Sequence, residues 1–441
     1  MQSPERFLAW LPWIGALLAL GCLFAALRAN RRQRLIDGLP TSKTTGVFIG
    51  LVEIKGTAEV GGHLTSFLAA APCVYFSWCI EEEWSRLVTE TETDSNGKTR
   101  TTTRRESGWQ TVAQDTQMMP FYLKDDCGLL LIRPQGATIE PKELFAQTCG
   151  RGDPLYYGKG PAFAVADSEH RRRFREVAVP LHAPVYIMGR ARERRDTVAP
   201  EIAHDPEAPL FLISTRPEEQ ISASHARTYW LFLCLGLFLC SVGFGFGFPT
   251  VWPNSGEEWI PFALGAAAYV PCVLVGWVWT VYNSLVDLRN RVASAWSQVE
   301  VQLKRRYDLI PRIEAVIKAL QQHEQSVQVT LATLRAQQQA TPPGVPGPDY
   351  HAVGPPLVVL AERYPALTAN PLFLRLQQEL SETEQRIALA RGYFNDIATH
   401  YNTRLEVVPD RFVAARARLT PRALMAANDF ERAPVRLTMA P

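Results

Sequence analysis

The side chains most able to do chemistry in this chain are arginines, and they come in clusters. Arg171, Arg172, Arg173 and Arg175 form one, and Arg190, Arg192, Arg194 and Arg195 a second. Lys304, Arg305 and Arg306, with Asp308 and Arg312, form a third. Guanidinium and ammonium groups at such density can grip phosphate or carboxylate, so the first two clusters are candidates for anionic lipid headgroups and the third is a candidate recognition patch. Each has a structural alternative. Glu169, Glu176, Glu193 and Asp196 can balance the first two as a solvated face, and Lys304–Asp308 and Asp308–Arg312 are i,i+4 pairs that support a helix. Nucleophilic and metal chemistry has less to build on. The eight cysteines include no Cys-x-x-Cys, and Cys22, Cys234, Cys240 and Cys272 lie inside apolar runs, so reduced thiols are expected in place of a disulfide framework. The histidines are scattered; His323–Glu324 is the best polar pair and reads as a helix-to-turn region. There is no His-Glu-x-x-His, no phosphate-cradling glycine loop before Lys-Ser/Thr and no Gly-x-Ser-x-Gly. No catalytic, metal or cofactor residue is assigned, and no cofactor is expected.

A net charge of +2 gives no global field for nucleic acid. Three uncharged apolar runs, 8–27, 229–248 and 260–282, are each long enough to cross a bilayer as a helix. Basic residues set their direction. Arg28, Arg31, Arg32, Arg34 and Lys43 follow the first run, Arg216 and Arg227 precede the second, and Arg289, Arg291 and Lys304 follow the third. The loop between the second and third carries Glu257 and Glu258 and no Lys or Arg. By the positive-inside rule the N-terminus lies outside, and both soluble segments are cytoplasmic at a bacterial-type inner membrane. Trp10, Trp13, Trp230, Trp252 and Trp259 near the run ends suit interfacial anchors. A cleaved signal peptide would need a basic leader, but Arg6 is offset by Glu5 and the basic cluster follows the run. The expected parts are an anchor over 1–28, a basic linker over 29–46, a β domain over 47–218, a membrane hairpin over 229–282 and a helical segment over 283–441.

The elements that carry the first two clusters alternate with period two. Val74, Phe76, Trp78 and Ile80 share one strand face, with Tyr75, Ser77 and Cys79 on the other. Further strands are predicted at 47–55, 109–113, 121–124, 129–133, 176–179, 185–189 and 210–214. Asp125–Asp126–Cys127–Gly128 and Asn96–Gly97 read as hairpin turns. The stretch 89–106 alternates without apolar content and is expected as an exposed hairpin or flexible insertion. The result is a small, mostly antiparallel β domain. Its motifs follow one another as Gly56–Thr57–Ala58–Glu59, Pro72–Cys73–Val74–Tyr75, Glu81–Glu82–Glu83, Pro120–Phe121–Tyr122–Leu123–Lys124–Asp125–Asp126 with Gly128, Pro184–Val185–Tyr186–Ile187 with Gly189, and Leu212–Ile213–Ser214–Thr215. In that order they resemble the domain beside the membrane in the GIDE family of mitochondrial ubiquitin ligases and their bacterial relatives. Ubiquitin transfer in that family implies a RING module with eight Cys/His ligands. No Cys follows Cys272, so the resemblance does not extend to the catalytic module.

From 283 onward the period is helical. Leu285, Leu288, Val292, Trp296, Val299, Leu303, Ile310, Ile313, Ile317 and Leu320 form one stripe, with no strong breaker separating it from the third run, and Pro311 is a potential kink. Further helices are expected over 326–339, 357–364 and 371–406, the last with Leu372, Leu376, Leu380, Ile387, Ala390, Phe394, Ile397 and Tyr401 as its stripe, and a Pro/Gly-rich loop over 341–356. Such stripes must pack on one another as an antiparallel bundle. Tyr282–Asn283–Ser284–Leu285–Val286, Ala295–Trp296–Ser297–Gln298, Val301 to Arg306, Asp308–Leu309–Ile310–Pro311, His323–Glu324, Arg363–Tyr364–Pro365, Phe394–Asn395 and Tyr401–Asn402 resemble the LemA family. Arg312, where that pattern usually has Asn, and the Pro-rich loop depart from it. The resemblance implies a membrane-anchored helical bundle and carries no catalytic residues.

The sequence therefore describes a multi-domain integral membrane protein: three transmembrane helices, a small mostly antiparallel β domain and a C-terminal all-α antiparallel bundle. The expected role is a non-enzymatic scaffold or adaptor in envelope maintenance, whose partners are the bilayer, proteins and anionic headgroups. Ubiquitin-ligase-like activity and a lipid-charge sensor are the rival readings.

Overall fold

Two periodicities divide the chain, and the computed structural model follows both. It describes residues 10–93, 99–194, 199–206, 208, 210–251, 259–320 and 371–425. Among the described residues the helices are α1 (Leu11–Ile36), α2 (Pro154–Gly158), α3 (Glu218–Val251), α4 (Ile260–Leu320), α5 (Pro371–Glu406) and α6 (Asp410–Arg416). Two units separate by their internal contacts: Thr41–Glu218, and Met1–Pro40 with Glu219–Pro441. The Asn96–Gly97 turn, Trp252, Glu257 and Glu258, the helices expected over 326–339 and 357–364, the loop over 341–356, and the side chains of Ile317 and Leu320 lie outside the described residues.

The first unit is β structure. Its first sheet contains β1 (Thr41–Ser42), β2 (Gly50–Glu59), β6 (Phe121–Lys124), β7 (Leu129–Ile132), β8 (Thr138–Glu140), β11 (Pro184–Glu193), β12 (Pro200–Ile202) and β13 (Leu212–Ser214). The order β2–β6–β7–β12–β11 returns to β2, so these five strands close a barrel. Closure hides their edges. Alternation fills the interior: Phe121 and Leu123 are buried on β6 while Tyr122 and Lys124 face out. Val52, Ile54, Leu130, Ile132, Val185, Ile187 and Ile202 complete that core. The pairing is mostly antiparallel, with parallel exceptions at β1–β2, β7–β12 and β8–β13. The turn 125–128 forms as expected, because the Asp125 carboxylate accepts from the backbone N–H groups of Cys127 and Gly128 and from Thr44.

The second sheet is built on β4 (Pro72–Thr93), flanked by β3 (Leu64–Thr65), β5 (Thr99–Met118) and β10 (Ser168–Pro180), with β9 (Lys142–Gly150) outside β10. Val74, Phe76 and Ile80 are buried on one face of β4, as the alternation predicted. β4 and β5 pair from Tyr75–Met118 to Thr93–Thr99, so the described parts of the polar stretch, 89–93 and 99–106, belong to long strands whose residues 101–105 are exposed. Sequence reading missed β8 and β9, whose patterns carry few apolar residues, and the short strands β1, β3 and β12.

The other unit is helical. Leu11–Ile36, Glu218–Gly247 and Ile260–Ile313 are three helical stretches long and apolar enough to cross a membrane. Their outer surfaces are apolar, with Trp13, Leu17, Phe24, Trp230, Phe238, Val275 and Trp279 all exposed. Glycine sets the closest approach: a Cβ on Gly15 would stand 2.9 Å from the Gly243 Cα. Gly243 therefore lets α1 and α3 pack closely. Gly15 opposes Gly243 and Cys22 opposes Gly236, so α1 and α3 are antiparallel. Leu27 opposes Gly276 and Gly38 opposes Leu288, so α1 and α4 are parallel. The end of α1, the start of α3 and the 280s of α4 thus share one end of the three-helix group.

α4 continues past Pro271 and Pro311 through 61 residues, joining span to bundle without a break. Its Leu285, Leu288, Val292, Ala295, Val299 and Leu303 are buried, and α5 runs antiparallel to it, with Trp296 meeting Phe394 edge-on at 5.4 Å. One stripe residue is corrected: Leu372 is 53% exposed and its neighbour Phe373 is buried instead. Near the start of α5, one residue of register decides which side chain is buried.

His400 on α5 is held mostly neutral, because burial lowers its pKa and the nearby Arg404 lowers it further. A folded pKa below the unfolded one means the unfolded chain takes up the proton first. Stability is then full above the ordinary histidine pKa of about 6.5 and declines as pH falls through it. The melting temperature of detergent-solubilised protein is expected to fall between about pH 7.5 and 5.5, and more in the wild type than in His400→Gln. Equal acid sensitivity in the two would remove His400 as the cause.

Candidate interaction sites

The first basic cluster meets its counter-charge across a strand pair. Arg172 stands opposite Glu82 and Arg173 opposite Glu81 in the antiparallel β10–β4 register. Arg171 bonds Glu83 at 2.8 Å, so three consecutive arginines meet three consecutive glutamates. Alternation sends the middle pair inward. Arg172 and Glu82 are fully buried, which corrects the expectation that Arg172 belongs to a surface patch. The Arg172 guanidinium donates to Glu82 and to the carbonyls of Tyr156, Pro161 and Phe163, and lies 3.9 Å above the Tyr156 ring. Gly160 makes room, since a Cβ there would come 2.6 Å from Arg172 Nη1. Asp153 caps α2 by accepting from Leu155 N–H and so presents Tyr156, whose hydroxyl donates to Glu82 at 2.6 Å. Burial pushes the Glu82 carboxyl up, but donation from Ser168, Tyr156 and Arg172 outweighs it and holds the group below the usual range. The Tyr156 phenol is pushed up to about 12 by burial and by Glu82.

The other described arginines of the two β-unit clusters are also engaged, Arg175 excepted. Arg173 lies over Trp109 at 4.7 Å, Arg190 pairs with Asp205 at 3.1 Å, and Arg192 shares the buried Glu201 with Arg133. Arg175 is exposed, with no ion pair among the described residues. Arg195 and Asp196 lie outside the described residues. Glu176 does not balance arginines as expected; its buried carboxylate accepts from the backbone of Leu68 and Ala69. The sequence signal for the ladder was present in Glu81–Glu82–Glu83 and Arg171–Arg172–Arg173, two triplets of opposite sign on neighbouring strands.

Metal and thiol chemistry find no assembled centre among the described residues. Asp125, Asp126 and Cys127 come within coordinating distance of one another, but Asp125 is committed to its turn and Asp126 bonds Lys43 at 2.7 Å. All eight cysteines are free, and the Cys73 thiol is pushed up to about 11 by burial and by Glu176, which keeps it protonated.

The third cluster assembles differently. Lys304, Arg305, Asp308 and Arg312 on α4 line an open cleft of about 320 Å³ with Val301 and Leu309, and Glu379 of α5 forms its far wall. The anticipated i,i+4 pairs are absent: no ion pair among the described residues joins Asp308 to Lys304 or Arg312. Glu379 is engaged by Arg375 at 3.2 Å. The cleft therefore holds three exposed cations against Asp308. Arg306 is not part of it, because one helical step turns it inward to 4% exposure.

Two further functions of α5 were invisible in the sequence. Asn395 and Asn402, seven residues apart, each exchange two hydrogen bonds with the backbone of Met425 and Arg422, clamping the segment after α6 along the helix. Asp410 at the start of α6 is buried and bonds Arg34 of α1 at 2.9 Å and Arg404 of α5 at 3.1 Å.

Three helices of spanning length and apolarity, a closed β barrel with a second sheet, and a helical hairpin carrying a cationic cleft define a membrane-associated chain of two folded parts. Residues 89–247 match the family model GIDE, described as E3 Ubiquitin ligase, and residues 295–438 match the LemA family model. The chain thus combines a GIDE-type region with a LemA-type region in the order its motifs suggested. No curated protein and no solved structure matches it.

Proposed function

We propose that this protein is a non-catalytic scaffold of a bacterial inner membrane, and that its LemA-type region docks acidic segments of partner proteins in the Lys304–Arg305–Arg312 cleft. The observation that carries this reading is the excess of cations there, with Lys304, Arg305 and Arg312 outnumbering Asp308 and Glu379 in a pocket walled by two helices. Cationic clefts steer and orient acidic partners through charge complementarity. The shared end of α1, α3 and α4 supports a common compartment for both soluble parts, and the basic flanks favour the cytoplasm.

Photocrosslinking in native membranes from a residue lining the cleft, Val301, tests the reading. Defined crosslinks are expected, reduced about tenfold or more by the combined change Lys304→Glu, Arg305→Glu and Arg312→Glu, because rim charges govern encounter. Crosslinks unaffected by the charge reversal would reject the cleft as the docking site.

A further inference from the structure

We propose that the groove between α1 and α4, one turn beyond the apolar part of α1, is a binding site for an anionic phospholipid, with its phosphate on Arg28 and Arg31 and an acyl chain along Phe24 and Trp279. The groove encloses about 610 Å³. Its lining changes character along the helix axis. Phe24, Leu27 and Trp279 form an apolar end; Arg28, Arg31 and Asn283 form a polar one. Phe24 and Trp279 are 69% and 71% exposed, so both offer an aromatic surface outward at the level where the first arginine appears. A tryptophan at the junction of apolar and basic surface matches the headgroup boundary of a bilayer.

The charge balance selects the ligand. Four arginines line the groove, but Arg34 bonds Asp410 and Arg291 bonds Asp287 at 2.9 Å. Arg28 and Arg31 are exposed and join no ion pair or hydrogen bond among the described residues. Three residues apart on one helix face, they carry like charge and repel one another. A single phosphate bridging them would remove that repulsion and gain charge-assisted hydrogen bonds. Two uncompensated cations favour a net-negative headgroup over a zwitterionic one, whose own ammonium would meet them. The apolar wall selects a lipid over a soluble phosphate. Basic pockets between membrane helices are a recurrent way of holding anionic headgroups.

This inference rests on the reading that α1, α3 and α4 span a bilayer, and the test separates the two. Full-length protein, delipidated in detergent, is titrated with dioleoylphosphatidylglycerol or dioleoylphosphatidylcholine, and bound lipid is counted by native mass spectrometry. At least a tenfold preference for phosphatidylglycerol is expected. Arg28→Gln with Arg31→Gln should abolish the preference, while Arg28→Lys with Arg31→Lys should keep most of it. Trp279→Ala, which leaves the charge intact, should weaken both lipids several-fold. Millimolar glycerol 3-phosphate should leave the lipid bound. Undiminished preference in the glutamine variant would overturn the site, and displacement by equimolar glycerol 3-phosphate would make it a soluble-phosphate site. Alkaline extraction of native membranes is read alongside. Release of the wild-type protein there would sink the spanning reading itself, whereas a retained protein without lipid preference would sink only the groove.

Discussion

Replacing Arg172 with alanine is expected to destabilise the β unit by about 3–5 kcal/mol, the range for breaking one partner out of a buried ion pair. Glu82 would keep its charge in a fully buried position, still bonded to Tyr156 and Ser168 but without its cation. The carbonyls of Tyr156, Pro161 and Phe163 would lose their donor at the same time, and each orphaned buried acceptor adds to the cost. Thermal melting of the solubilised protein, followed by tryptophan fluorescence, should shift down by on the order of 10 °C for a unit of this size. Arg171→Ala supplies the contrast, since its exposed pair with Glu83 is worth about 1 kcal/mol or less. The charge itself is separable from packing. Arg172→Met combined with Glu82→Met should recover much of the loss, because removing both charges is far less costly than stranding one. Equal melting of Arg171→Ala and Arg172→Ala would contradict the burial argument.

Asp410→Ala is expected to cost the helical unit about 3 kcal/mol or more. The Asp410 carboxylate is the shared acceptor for Arg34 and Arg404, so its loss strands two guanidinium groups in a largely dry environment. It also cuts the tie between the end of α1 and the helices that follow the spans. Limited proteolysis near residues 416–420 should accelerate in the variant while the apolar helices stay protected. Asp410→Glu, with one more methylene and the same charge, should lie between the two. Unchanged proteolysis and melting in Asp410→Ala would show that the pair contributes nothing net.

Much of this organisation was readable from periodicity, because burial imposes it directly. The alternation at Val74, Phe76 and Ile80 and the three- and four-residue steps from Leu285 to Leu303 each reappear as buried faces. The order of the two family-like regions was carried by dispersed motifs that keep their sequence. Long-range pairing was not readable in the same way. Glu82 and Arg172 lie 90 positions apart, and nothing local distinguishes Arg172 from Arg171 and Arg173 until strand register sends it inward. The same holds for Arg306 beside Arg305, where a 100° helical step exchanges surface for core. Barrel closure depends on the return of β11 to β2, and Asp410 depends on partners drawn from two other helices, so both emerge only when the chain is folded.

The unbroken passage of α4 from span to bundle has a geometric consequence. With no joint between them, the azimuth of the Lys304 face is phase-locked to the face of the same helix that meets α1 at Gly276. One residue added between positions 283 and 290 would turn everything beyond it by about 100° and raise it by about 1.5 Å. Seven added residues would complete nearly two turns and return the face close to its original bearing, about 10 Å further along the axis. Orientation and height at this surface are thus counted in whole residues.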